Sequence, residues 1–247
     1  MRCQARLAYR DTEAAAKFLT DAFGLQEQDR LDSMVWLTFG KSTMMIGQSG
    51  AEHHNIYSPL DTGKPTAEMN AAVDDIDGHY RRAKAAGARI SIELEDAPFG
   101  QRRYRAIDPE GHGWHFMKPL QGVAIEGLEL RLIYADERAA VEFLTRAFGF
   151  TESARLADMA WLGFGETVTM VSRADARQRQ YGPGETGKPT AMLNLHVGDV
   201  DEHYRRALAN GARMVSQLKD VPWGFRTYEA LDPEGNRWHV MQPTGQQ

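Results

Sequence analysis

The sequence predicts an α+β fold in which one domain is written twice, each copy made of two βαβββ units. Two observations lead there. RLAYRDTEAAAKFLTDAFG at 6–24 returns as RLIYADERAAVEFLTRAFG at 131–149, and DPEGHGWHFM at 108–117 returns as DPEGNRWHVM at 232–241. MVWLTFG, TGKPTA and DIDGHYRRAKAAGAR recur in order between them, so the repeat covers nearly the whole chain. Self-similarity at one long period marks a duplicated structural unit. The second observation lies inside each copy, where a strand, a helix and three strands follow one another twice. The repeat gives a first domain over 1–120, a linker QGVAIEG over 121–127 and a second domain over 128–247.

Each element has a local reason. QARLAY alternates as a strand does. DTEAAAKFLTDAFG reads as a helix with Asp11 or Thr12 as N-cap and Gly24 just past its end. Ala14, Phe18 and Ala22 give it an apolar face. Strands are expected over 26–31, 34–39 and 42–47, with Gly40-Lys41 turning the second into the third. After a loop over 48–65, AEMNAAV is a strand and DIDGHYRRAKAAGA a helix presenting Ile76, Tyr80 and Ala83. Strands near 89–95, 101–107 and 112–117 close the copy. Asp108-Pro109-Glu110-Gly111 suits a type I turn, with Asp first, Pro second and Gly fourth.

Composition excludes several classes. The net charge is −5 and the chain carries no basic stretch, which argues against nucleic acid. Apolar runs are far too short to span a bilayer, and MRCQARLAYR has no apolar signal core. One cysteine, Cys3, excludes an internal disulfide framework. These features predict a cytoplasmic protein without membrane or nucleic-acid partners.

The opening D-x-x-A-A-x-x-F-L-x-x-A-F-G, the central D-(I/V)-D-x-x-Y-x-R-A and the closing D-P-E-G-x-x-W resemble the glyoxalase/bleomycin-resistance/extradiol-dioxygenase (vicinal oxygen chelate) superfamily, over both repeats. The resemblance implies that each pair of units forms a cupped mixed sheet, helices outside and a small-molecule cleft inside. It also implies a divalent metal (zinc, nickel, cobalt, manganese or iron) in catalytic members, held from the first and last strands of the units. Position by position the carry-over gives Gln4, Met44 or Met45, Glu68 and His115 in repeat 1. In repeat 2 it gives Glu129, Met170 or a neighbour, Met192 and His239, with His196 as a poorer third partner. A catalytic divalent site needs about three oxygen or nitrogen ligands. Repeat 1 offers Gln4, Glu68 and His115; repeat 2 offers only Glu129 and His239. The count favours clefts without metal, and the His-His-Glu set of extradiol dioxygenases is not met.

Period-two alternation puts Trp114 and Phe116 on one face and His115 on the other, toward the cleft, and likewise Trp238 and His239. His115 and His239 are the candidate general acid/base residues, since imidazole titrates near neutrality. Arg6 and Arg131 would take an anionic ligand with their planar forks or pair with a buried acid, Glu68 beside Arg6 and Glu129 beside Arg131. Asn70 and Asn194 would orient a ligand, and the loop residues Phe99 and Trp223 would close over it. Trp36, Trp161 and Tyr104 are lining or plain core. GPGETGKP at 182–189 imitates a phosphate-binding loop, but Pro189 replaces the hydroxyl residue and a strand follows where that motif needs a helix. His53, His54, His79 and His203 are expected in solvent. The expected function is a lyase- or isomerase-like enzyme with degenerate metal sites; the alternative is a metal-free antibiotic-type binding or resistance protein. The partner is a small molecule, and the chain is a monomer or homodimer.

Overall fold

The structure is a computed structural model that describes residues 1–97, 101–118 and 127–245. The first unit comprises β1 (Arg2–Tyr9), α1 (Thr12–Phe23), β2 (Gln26–Leu31), β3 (Met34–Phe39) and β4 (Ser42–Gln48), followed by a single turn α2 (Pro59–Thr62). The second holds β5 (Ala67–Ala72), α3 (Ile76–Ala85), β6 (Arg89–Ala97), β7 (Gln101–Ile107) and β8 (Gly113–Met117). The third holds β9 (Leu128–Tyr134), α4 (Glu137–Phe143) running on as a π turn over Leu144–Phe148, β10 (Thr151–Leu156), β11 (Met159–Phe164) and β12 (Thr167–Arg173). After the turn α5 (Pro183–Thr186), the fourth holds β13 (Ala191–His196), α6 (Val200–Ala209), the short β14 (Arg213–Met214) and β15 (Lys219–Val221), β16 (Phe225–Leu231) and β17 (Arg237–Pro243). Among the described residues no helix is long and apolar enough to cross a membrane. Residues 98–100 and 119–126, which include Phe99 and most of the expected linker, lie outside the described residues.

The expected caps form. Asp11 accepts from the Glu13 and Ala14 amides at the start of α1, and Gly24 ends it at φ 77°, a left-handed conformation that suits glycine. The buried stripe of α1 is Ala15, Ala16, Leu19, Ala22 and Phe23 rather than Ala14, Phe18 and Ala22. The helix is rotated so that Phe23 reaches Trp114 and Phe116, at 5.2 and 4.9 Å between ring centroids. On α3 the buried residues are Ile76, His79 and Ala83. His79 is therefore core, contrary to expectation: its Nε2 donates to the Phe23 carbonyl at 2.9 Å and its Nδ1 accepts from Tyr104 Oη at 2.5 Å. His203 repeats this with Phe148 and Tyr228. Burial pushes both imidazoles down to about 4, so they act as neutral pins between the two helices of a repeat.

The DPEG turn does more than reverse the chain. Asp108 Oδ2 accepts from Tyr9 Oη (2.6 Å) and Trp114 Nε1 (3.1 Å), while Oδ1 takes three turn amides. Glu110 accepts from the Arg10 and Asp11 amides that lead into α1. Asp232 and Glu234 make the equivalent bonds to Tyr134, Trp238, Ala135 and Asp136. The motif recurs because each copy uses it to lock its second unit to its first.

That helix-side packing leaves the first strands of the units free, and they pair across repeats. One sheet runs β14-β16-β17-β13-β1-β4-β3-β2, with β15 also on β16; the other runs β10-β11-β12-β9-β5-β8-β7-β6. The central joins are antiparallel, β1 with β13 and β5 with β9. Each sheet thus takes two units, as expected, but units one and four share a sheet, and so do units two and three. The faces opposite the helices form two clefts.

Candidate functional site

This pairing redistributes the expected site residues. The first cleft, on the β1/β13 sheet, receives Gln4, Arg6, Trp36, Asn194, Trp223 and His239. The second, on the β5/β9 sheet, receives Glu68, Asn70, His115, Glu129 and Arg131. The expected trio Gln4, Glu68 and His115 is therefore not assembled, because Gln4 lies on a different sheet from the other two. Nor does Glu68 meet Arg6. Its cross-strand partner is Arg131, whereas the partner of Arg6 is Met192.

The second cleft is closed by its own side chains. Glu68, fully buried, takes Arg105 on one oxygen and His115 Nε2 (3.0 Å) and Gln180 Nε2 (3.0 Å) on the other, with Arg131 at 3.7 Å. Burial pushes Glu68 up, but His115, Arg105 and Arg131 outweigh it and hold the carboxyl at about 2. Burial lowers His115, and the carboxylate of Glu68 offsets this only in part. Beside this cluster one oxygen of Glu129 has no partner, and burial raises the carboxyl to about 7 although Asn70, Arg131 and Trp161 act to lower it.

The first cleft is open, with a volume of about 750 Å³. Trp36, Trp223, Phe225, Met34 and Leu31 give it an apolar rim, and Trp223 is 71% exposed. Its floor is a register row, Gln4, Asn194 and His239, across three adjacent strands. His239 Nε2 lies 2.6 Å from Thr227 Oγ1, whose proton goes to the Val240 carbonyl, so the imidazole donates. Burial takes His239 down to about 4. His54, expected in solvent, instead reaches into this cleft from its loop. Its Nδ1 meets Glu229 Oε1 at 2.7 Å and its ring packs 5.3 Å from His239.

Three positions carry swapped chemistry. Where the second cleft has Glu68, Arg105 and Gly113, the first has Met192, Glu229 and Arg237. Each set keeps one buried acid–arginine pair; Arg237 Nη2 to Glu229 Oε2 is 2.7 Å. The sets exclude each other, because a Cβ on Gly113 would stand 2.7 Å from Glu68 Oε1 and 2.8 Å from Arg105 Nη2. His54, Arg105, Gln180 and Glu229 thus belong to the clefts although none was singled out in the sequence for a site. For Arg105 and Glu229 the concerted difference between repeats at these three places was the available signal.

The family model for the glyoxalase/bleomycin resistance protein/dioxygenase superfamily matches residues 4–116 and again 128–240. The chain belongs to this superfamily, as two glyoxalase domains in tandem. An uncharacterized protein of Mycobacterium bovis is 31% identical over 129 residues, 47% of this chain and 82% of that protein. Glyoxalase I from Zea mays superposes with a TM-score of 0.75 at 18% identity, covering 98% of this chain and 92% of that one. A putative dioxygenase from Bacillus subtilis gives 0.64 at 11% identity, covering 97% and 84%. At these identities the two structures show the fold alone.

Divalent metals are common in the superfamily, and the residues present can be tested against one. The first cleft holds three imidazoles: His54 is drawn onto Glu229, His196 lies toward the Phe225 rim, and His239 sits beside two amides and the Met45 thioether, to which Asn194 Nδ2 points at 3.3 Å. The second commits His115 to Glu68 and sets Asn70 between it and Glu129. Among the described residues no three His, Cys, Asp or Glu side chains are arranged so that they could hold a metal ion. Hard divalent ions need such a set, so the donors here do not fit one.

Proposed function

We propose that the chain binds one small organic molecule in the first cleft, without a metal, and serves as a binding protein rather than a lyase. The observation that carries this reading is the contrast between the clefts: one open under an aromatic rim, the other filled by an ion cluster of its own. Apolar concavities with a few fixed polar groups are the usual form of a small-molecule site. Enzymatic use is disfavoured by the histidines. Burial holds His239 near 4, away from the neutral range where general acid/base catalysis is most effective, and the Nε2 of His115 is taken up by Glu68.

The test is calorimetry of chelator-treated protein with a panel of aryl carboxylic acids and their ring-matched primary amides. The expected result is saturable binding of at least some members at one equivalent per chain. Added zinc, nickel or manganese should leave it unchanged, and Trp36→Ala or Trp223→Ala should weaken it roughly fivefold, the loss of one aromatic contact. Binding that requires a metal, or none by any member, overturns the reading.

A further inference from the structure

The two clefts contain the same arginine in two different states. Arg131 has a partner at each nitrogen: its Nε donates to Ser172 Oγ (2.8 Å), its Nη2 to Gln180 Oε1 (3.3 Å), and its Nη1 lies 3.7 Å from Glu68. The repeat places Gly47, Ile56 and Met192 around Arg6 at the positions of these three acceptors. Gln180 and Ile56 are confirmed equivalents, each closing a bridge in its loop, to Asp175 and to Gly50. Hydroxyl and amide have become groups that accept nothing, and the carboxylate has become a thioether, an uncharged and weak acceptor.

Arg6 is nevertheless 3% exposed and lines the open cleft, and its Nε has no hydrogen-bond partner. Its guanidinium lies against Gly47, where a Cβ would come within 2.5 Å of it. The acid that faces it, Glu229, is occupied by His54 and Arg237. Burial lowers Arg6 only to about 10, so it stays charged at neutral pH. A buried guanidinium nitrogen without an acceptor is costly, and among the described residues none accepts from the Arg6 Nε.

We infer that Arg6 is the receptor for an anionic group on the ligand, so that the first cleft takes a flat or apolar organic acid and the second takes nothing. The inference rests on the reading of the first cleft as the binding site and names the class of its ligand. A carboxylate can meet the guanidinium fork in two parallel hydrogen bonds, which an amide cannot match. The rim of Trp36, Trp223 and Phe225 would cover the remainder.

The same acid and amide panel separates the two claims. Each acid is expected to bind about 10- to 100-fold more tightly than its amide, the range for a charge-assisted hydrogen bond. Arg6→Met should erase that preference while amide binding persists, and Arg6→Lys should restore part of it. In a second variant Gly47→Ser, Ile56→Gln and Met192→Glu together rebuild the acceptors of the second cleft around Arg6. It too should lose the preference for acids. If amides bind as well as acids, or Arg6→Met keeps the preference, the anion assignment is wrong and the cleft reading stands. If neither series binds, both fall.

Discussion

Replacing Glu68 with Ala is expected to destabilise the protein by about 3–5 kcal/mol, the cost of breaking a buried ion cluster from one side. Glu68 is fully buried and is the shared acceptor for Arg105, His115 and Gln180, with Arg131 beside it. Its removal leaves two guanidinium groups, 3% and 13% exposed as residue and side chain respectively, without their shared counter-charge, and Arg131 keeps another acid, Glu129, near it. Its counterpart Met192 supports no such network. Urea denaturation checks this; a loss under about 1 kcal/mol would show that the second cleft is not held shut by this cluster. Combining Glu68→Met with Arg105→Glu and Gly113→Arg, the set used by the first cleft, should recover much of the loss. The acid–arginine pair is then remade between the neighbouring strands β7 and β8.

Glu129→Gln has a pH-dependent effect of nearly the same size. Burial holds the folded carboxyl at about 7, up from 4.5, and one oxygen has no partner. A raised folded pKa stabilises the fold fully below the unfolded value near 4.5, and that contribution is lost as pH rises through about 7. At 1.36 kcal/mol per unit, ionisation in place costs about 3 kcal/mol above pH 8. The variant should therefore match the wild type within about 1 kcal/mol at pH 5 and exceed it by about 2–3 kcal/mol at pH 8. Paired urea titrations at the two pH values measure the difference, and equal gaps at both would show that Glu129 is ionised throughout.

Much of the fold was legible because its signals are local. The strands expected at 26–31, 34–39 and 101–107 form over those same residues, Asp11 and Gly24 cap α1, and alternation at Trp114-His115 puts one toward the helices and the other toward the cleft. Which units share a sheet was not legible, since no local pattern records a partner more than a hundred residues away. The candidate metal set failed for that reason alone: Gln4 and Glu68 were grouped by repeat, and the sheets group them otherwise. His79 is a different kind of miss. It lies three residues after Ile76 and four before Ala83, on the helix's own apolar stripe, so the spacing carried the signal. His54 gave none, because its place in the cleft depends on a loop closing onto β16.

The central claim is that one cleft is open to a ligand and the other is closed by the protein itself. The most direct measurement is a crystal structure of the protein grown with the tightest-binding acid of the panel. Density for one molecule is expected against Trp36 and Trp223, its carboxylate on Arg6, with the Glu68–Arg105–Gln180 cluster intact and no ligand beside it. A molecule seated at Arg131 in the second cleft, or bound away from Arg6, would contradict the account.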